Sequence, residues 1–172
     1  YRLLLRIDHR ELRYCEVLHD VVNWWQKCGV TALPTPESAW EPVYSTWYAW
    51  HQEMHGDALV EECRRAATLG MRTIIIDDGW QTADNNRGYD YCGDWRVEPG
   101  KFPDLRKTVS QIHKLGMKCM MWFSVPYVGI HAGVWTQFSD KLLTYNPNNG
   151  AGVLDPRYPQ VREYLIGTYE RF

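Results

Sequence analysis

The chain has 172 residues, 45% of them hydrophobic and 23% charged, with a formal net charge of -2 and a pI near 6.3. These proportions belong to a globular chain and exclude a disordered tail, a collagen-like rod or a coiled coil. Without a basic excess there is no electrostatic footprint for nucleic acid or anionic lipid, and no apolar run approaches the roughly 20 residues of a membrane helix.

In chain order, Tyr1–Ile7 reads as a short strand. Glu11–Cys28 places Cys15, Leu18, Val22 and Trp25 at helical spacing and ends at Gly29. Thr31–Pro42 carries Pro34, Pro36 and Pro42 and reads as a linker. A boundary is expected there, dividing residues 1–42 from 43–172. Val43–Trp50 is β-branched and aromatic, a strand pattern. Asp57–Leu69 is a helix with Asp57 as cap, Leu59, Cys63 and Ala66 as its apolar stripe, and Gly70 as its stop. Arg72–Ile76 has the apolar character of a strand buried on both faces. After a long polar loop, Gln81–Pro103, come a helix over Asp104–Leu115, a strand over Lys118–Val125, a second long loop over Pro126–Leu154 and a helix over Tyr158–Phe172. Asp155 and Pro156 are expected to open that last helix.

Strand and helix alternate three times after Val43, the pattern of parallel βαβ units with right-handed crossovers. The helix-to-strand connections are short, at Gly70–Met71 and Gly116–Met117, and the loops after the second and third strands are long. Active-site loops grow at the carboxyl ends of strands in this way in an α/β barrel. A doubly wound sheet shares the bias, but its Gly-rich phosphate turn after the first strand is missing. Three units cannot close a barrel of eight, which takes about 250 residues. The expected fold is therefore α/β: the first three units of a (β/α)8 barrel over 43–172, preceded over 1–42 by the end of an upstream domain, a connecting helix and a linker.

Five cysteines, with no CxxC pair, indicate neither a disulfide framework nor a zinc knuckle, and a reducing compartment such as the cytoplasm is the expected setting. The 9 Trp and 11 Tyr outnumber the 4 Phe, a skew toward rings with a polar handle that suits sites part apolar and part wet.

Ile74-Ile75-Ile76-Asp77-Asp78-Gly79-Trp80 places two carboxylates directly after a buried strand. At a strand end both neighbours can reach one pocket, and both stay ionised only if hydrogen-bonded or wet, as sugar hydroxyls would make them. Gly79 permits a sharp turn that lifts Trp80 over the pocket. The competing reading is that one Asp caps the turn. Trp47 and Trp122 stand near two other strand ends, where an indole can pack on a pyranose or into the core. His51, Glu53 and His55 have a spacing that could grip a metal, but without a third ligand they read as a solvated turn. Cys92, Asp94 and Trp95 edge a lid or pack the loop down.

The series P-V-Y-S-T-W-Y, R-R-A-A-x-L-G, I-I-I-D-D-G-W-Q, G-D-W, K-F-P-D-L, L-G-M-K and V-L-D-P-R-Y-P, spread from Pro42 to Phe172, resembles glycoside hydrolase family 36, the melibiase-type α-galactosidases. The resemblance implies a (β/α)8 barrel, with the segment before Pro42 as the exit from an N-terminal β-sandwich domain, a retaining double displacement on α-linked galactosides, and no metal or organic cofactor. It implies that Asp77 and Asp78 hold the galactose hydroxyls at C4 and C6. Trp47 and Trp122 line the same pocket, with Trp80 beside them. The catalytic carboxylates of the family come from later strands, beyond Phe172. Two departures stand out: Phe123-Ser124-Val125 where many members carry a Glu, and Asn148–Gly152 where many carry an Arg. Transfer to another sugar, a related α-glycoside, or carbohydrate binding without chemistry are the alternative readings.

Overall fold

The computed structural model describes residues 3–172, and the chain divides into two compact units, one ending at Ala39 and the other spanning Trp40–Phe172. In the first, helix α1 runs over Tyr14–Lys27. Glu16 closes its first turn by accepting the Arg13 backbone N–H at 3.0 Å. Arg10 forks between Asp8 and Asp20, at 2.6 Å from each. No strand forms among the described residues of this unit, so the one expected at its start is not seen. Residues 1 and 2 lie outside the description, and 3–7 have no neighbouring strand to share backbone hydrogen bonds with.

The second unit is built on a three-stranded parallel sheet in the order β1 (Val43–Ser45), β2 (Thr73–Ile76), β3 (Lys118–Met121). Val43 pairs with Thr73, and Thr73 in turn with Lys118. The first strand is shorter than its pattern predicts. After the Thr46 N–H donates to the Ile75 carbonyl at 3.1 Å, the chain leaves the sheet and coils into the single turn α2 (Trp47–Trp50).

Helix α3 (Gly56–Thr68) starts one residue before Asp57, which sits in the first turn, where a carboxylate favours the helix dipole, rather than at the cap. Helix α4 (Leu105–Lys114) falls within the span read for it, and Asp104, read as its first residue, is its cap, accepting the Lys107 N–H at 2.8 Å. Leu59, Cys63 and Ala66 of α3 and Ile112 of α4 join Ile74 and Ile76 of β2 in one core. Full burial of an isoleucine contributes about 1.5–3 kcal/mol, so the central strand anchors the unit.

The second long loop holds more order than its composition suggests. It contains β4 (Tyr127–Gly129), the short turn α5 (Trp135–Phe138), β5 (Leu142–Asn146) and β6 (Ala151–Leu154), the strands forming an antiparallel sheet in the order β4-β6-β5. Val128, Phe138 and Leu154 pack with Val161 of the last helix, α6 (Pro159–Glu170), in a second core. Asp155 does not cap α6. The helix begins three residues after Pro156, with Pro159 in its first turn, and the Asp155 carboxylate is engaged by the Arg157 guanidinium at 2.6 Å.

Candidate functional site

A pocket of about 330 Å³ opens at the carboxyl ends of the three parallel strands, lined by Ser45, Trp47, Tyr48, Asp77, Asp78, Tyr89 and Trp122. Parallel pairing places it there. The register that sets Ser45 beside Ile75 and Ile76 beside Met121 brings the next residues of each strand to one rim. The Trp122 N–H extends the ladder by donating to the Ile76 carbonyl at 2.9 Å, which fixes that indole beside the acids.

The two carboxylates are held differently. Asp77 is tied to the first strand: Ser45 Oγ donates to its Oδ2 at 2.9 Å, and its own N–H donates to Thr46 Oγ1 at 2.9 Å. Its Oδ1 accepts the Asp78 N–H at 2.8 Å, so one acid orients the backbone of the other. Asp78 is only 4% exposed and lies between two amides. Gln52 Nε2 donates to its Oδ2 at 2.7 Å and Gln81 Nε2 to its Oδ1 at 2.6 Å. Burial pushes the Asp78 carboxyl above its ordinary range, opposed by those hydrogen bonds and reinforced by the charge of Asp77.

Behind the acids, the Lys101 ammonium is 5% exposed and ties two loops together. It donates to the carbonyls of Gln52 and Gly79 at 2.6 and 3.0 Å and to Asn85 Oδ1 at 2.8 Å. Burial also lowers its proton affinity below the usual lysine range. Replacing it with Met leaves those two carbonyls without their donor. The expected result for Lys101→Met is a loss of about 2 kcal/mol or more, since each buried polar group left unpaired costs about 1–3 kcal/mol. Urea denaturation of the variant beside the parent measures it, and an unchanged midpoint would remove Lys101 from this role.

The aromatic wall is a stack. Tyr89 lies over Tyr127 with ring centroids 4.7 Å apart and 15° between planes, and its other neighbour is Trp122 at 6.3 Å and 26°. Trp80 corrects the sequence reading. Gly79 turns the chain inward, so the indole is fully buried beneath the pocket against Trp95 and Phe123. Its Nε1 donates to the Trp122 carbonyl at 2.8 Å, so it supports the pocket wall without reaching the cavity.

Cys92 and Trp95 are buried, and Asp94 accepts the N–H groups of Gly133 and Val134 at 2.7 and 3.1 Å, so this segment packs its loop down. Glu53 and His55 are exposed, His51 packs edge-on to Trp47, and among the described residues no three His, Cys, Asp or Glu side chains gather as a metal site. All five cysteines are free.

Sequence reasoning missed Gln52, Tyr89 and Lys101. Nothing in the local patterns of Gln52 and Tyr89 marks them, and Lys101 opens the quoted K-F-P-D-L motif without a site role being read from it; each is brought to the acids by the chain folding back on itself. Gln81 stands in the quoted motif next to Trp80, and that adjacency was its only signal. Acceptor-only carboxylates beside aromatic faces suit a ring with hydroxyl donors at its edge and C–H groups on its face.

The chain is similar to known proteins in sequence and in fold. The chain is 28% identical over 144 residues to the α-galactosidase of Escherichia coli, a match covering 80% of this chain and 20% of that protein. The α-galactosidase from Lactobacillus brevis superposes with a TM-score of 0.67 at 27% identity, over 76% of this chain and 18% of that one. The GH36 α-galactosidase AgaB from Geobacillus stearothermophilus superposes with a TM-score of 0.69 at 25% identity, over 76% and 19%. The chain thus spans about a fifth of the length of these relatives. The melibiase family model matches residues 37–170, a stretch that holds the whole parallel sheet and every residue lining the pocket, and the chain belongs to that family.

Proposed function

We propose that this chain forms the substrate-holding side of the active site of a retaining α-galactosidase. Its parallel sheet is then the first three βα units of a (β/α)8 barrel, and residues 1–42 are the end of a preceding β domain with its connecting helix and linker. The observation that carries the reading is the shared pocket. Asp77 and Asp78 open into it together, at the carboxyl end of the central strand of the parallel sheet, with Trp47 and Trp122 beside them.

Asp77 and Asp78 bind the sugar and do not attack it. Each oxygen of both carboxylates already accepts a hydrogen bond from the protein. A carboxylate oxygen has a further lone-pair site, which here accepts a galactose hydroxyl proton. A general acid must instead carry a proton to give away, and Asp78 between two donor amides has no acceptor to hold one toward. The nucleophile and the acid/base, about 5–5.5 Å apart in retaining enzymes, come from later strands of the barrel, and this chemistry needs no metal or organic cofactor. Trp122 and Trp47 offer faces for the apolar side of the ring.

The complete protein is expected to hydrolyse p-nitrophenyl α-galactoside, with the α-anomer of galactose released first in a proton NMR time course. Initial release of the β-anomer, or turnover of the α-glucoside in preference, would overturn the reading.

A further inference from the structure

We propose that Gln52 and Gln81 are positioning residues that hold the Asp78 carboxylate ionised and acceptor-only toward the pocket. The consequence for turnover rests on the sugar-pocket reading above; the electrostatic claim does not.

The direction of each amide is set at its far end. Gln52 Oε1 accepts the Arg87 backbone N–H at 2.8 Å, and Gln81 Oε1 accepts the Gly79 backbone N–H at 3.0 Å. Both carbonyl ends are thereby committed to donors, so both NH2 ends face Asp78. Flipping either amide would set oxygen against carboxylate and N–H against N–H. Gln52 is 1% exposed, and its backbone carbonyl is held by Lys101, so this donor cannot swing away.

The other ionisable groups facing Asp78 are Asp77 before it, Tyr89 and Cys92 from the loop above, and Lys101 behind. Asp77 opposes a second negative charge, while Tyr89 and Cys92 are kept neutral, their own proton affinities raised first by burial. Lys101 is the only cation of the set and spends its hydrogen bonds on carbonyl and amide oxygens. The two amides, with the Gly79 backbone N–H as a smaller contributor, therefore favour the charged form of a buried acid beside another acid. Once protonated, Asp78 would present a hydroxyl where the substrate's own hydroxyl needs an acceptor.

Gln52→Glu tests this in the complete protein. The substituted side chain keeps the acceptor for the Arg87 N–H but replaces the amide donor with an acid. At acid pH one proton shared between the new carboxyl and Asp78 restores the hydrogen bond; as pH rises and both ionise, it becomes repulsion. The pair's folded proton affinity lies above its unfolded value, so the stability is present at low pH and lost as pH rises through the folded value. The melting temperature of Gln52→Glu is expected to match the parent's near pH 5 and fall progressively below it toward pH 8. The ratio of its kcat/KM to the parent's falls about tenfold or more over the same interval. Gln81→Glu carries the same expectation from the other oxygen and serves if Gln52→Glu does not fold. Offsets in both quantities that do not change with pH overturn the inference. A pH-dependent melting offset in a protein whose parent does not cleave α-galactosides would instead overturn the sugar reading and leave the positioning role standing.

Discussion

In the complete protein, Asp78→Ala is expected to lower kcat/KM for an α-galactoside by about a hundredfold or more, and Asp77→Ala by a similar factor. A hydrogen bond to a charged group is worth about 1.5–3 kcal/mol, and about 1.4 kcal/mol is tenfold in rate, so losing the two acceptor oxygens of either acid reaches that range. The two variants differ in what else they lose. Asp78→Ala strands the amide donors of Gln52 and Gln81 in the interior and also lowers stability. Asp77→Ala frees the Ser45 hydroxyl and the Asp78 N–H at a half-buried site, where water can replace the lost partner. Activity should thus fall alike while the melting temperature falls more for Asp78→Ala. Near-parental turnover by both variants would dismiss the acids as substrate ligands. The acid limb of the parent's pH profile follows the same logic. Because burial raises the Asp78 carboxyl, protonation on acidification removes its acceptor at a higher pH than an ordinary aspartate would.

The parts of the fold legible from sequence were those fixed by local periodicity. The stripe Leu59, Cys63 and Ala66 and the run Arg72–Ile76 each declare their element within a few residues, and the structure forms a helix on the first and a strand over Thr73–Ile76 within the second. Trp47–Trp50 misled because aromatic residues favour strands in general, yet here the pocket rim needs the chain to leave the sheet after Ser45. The sheet β4-β6-β5 was hidden because strands of 3–5 residues, one with a register shift between Leu142 and Thr144, leave little alternation to detect. In the site, the adjacent acids and two of the three indoles were readable, because strand ends carry them into one hollow. Trp80 was misplaced for a rotational reason: a positive φ at Gly79 sends the next side chain inward. The Gln52 and Lys101 supports were not legible as such, since their partnerships join residues far apart in the chain, whereas Gln81 lies three residues from Asp78.

Gly79→Ala should be strongly destabilising. Gly79 sits at φ +115, a conformation that side chains rarely adopt, and a Cβ there would come within 2.5 Å of Gln52 Cα and 2.9 Å of the Gln52 carbonyl oxygen. The clash is with backbone, and that backbone cannot retreat, because Lys101 ties the same carbonyl to the Gly79 carbonyl. Left-handed strain of about 1–2 kcal/mol and overpacking of about 1–3 kcal/mol together predict a loss of about 2–5 kcal/mol. Relief by moving the Gln52 segment outward would pull its amide from Asp78, so the variant's remaining folded fraction should also bind substrate more weakly. Urea denaturation gives the first quantity, and galactose titration of the folded fraction gives the second. A variant that melts with the parent would mean that Gly79 and Gln52 do not meet, and with that contact would go the physical reason for a glycine between the acids and Trp80.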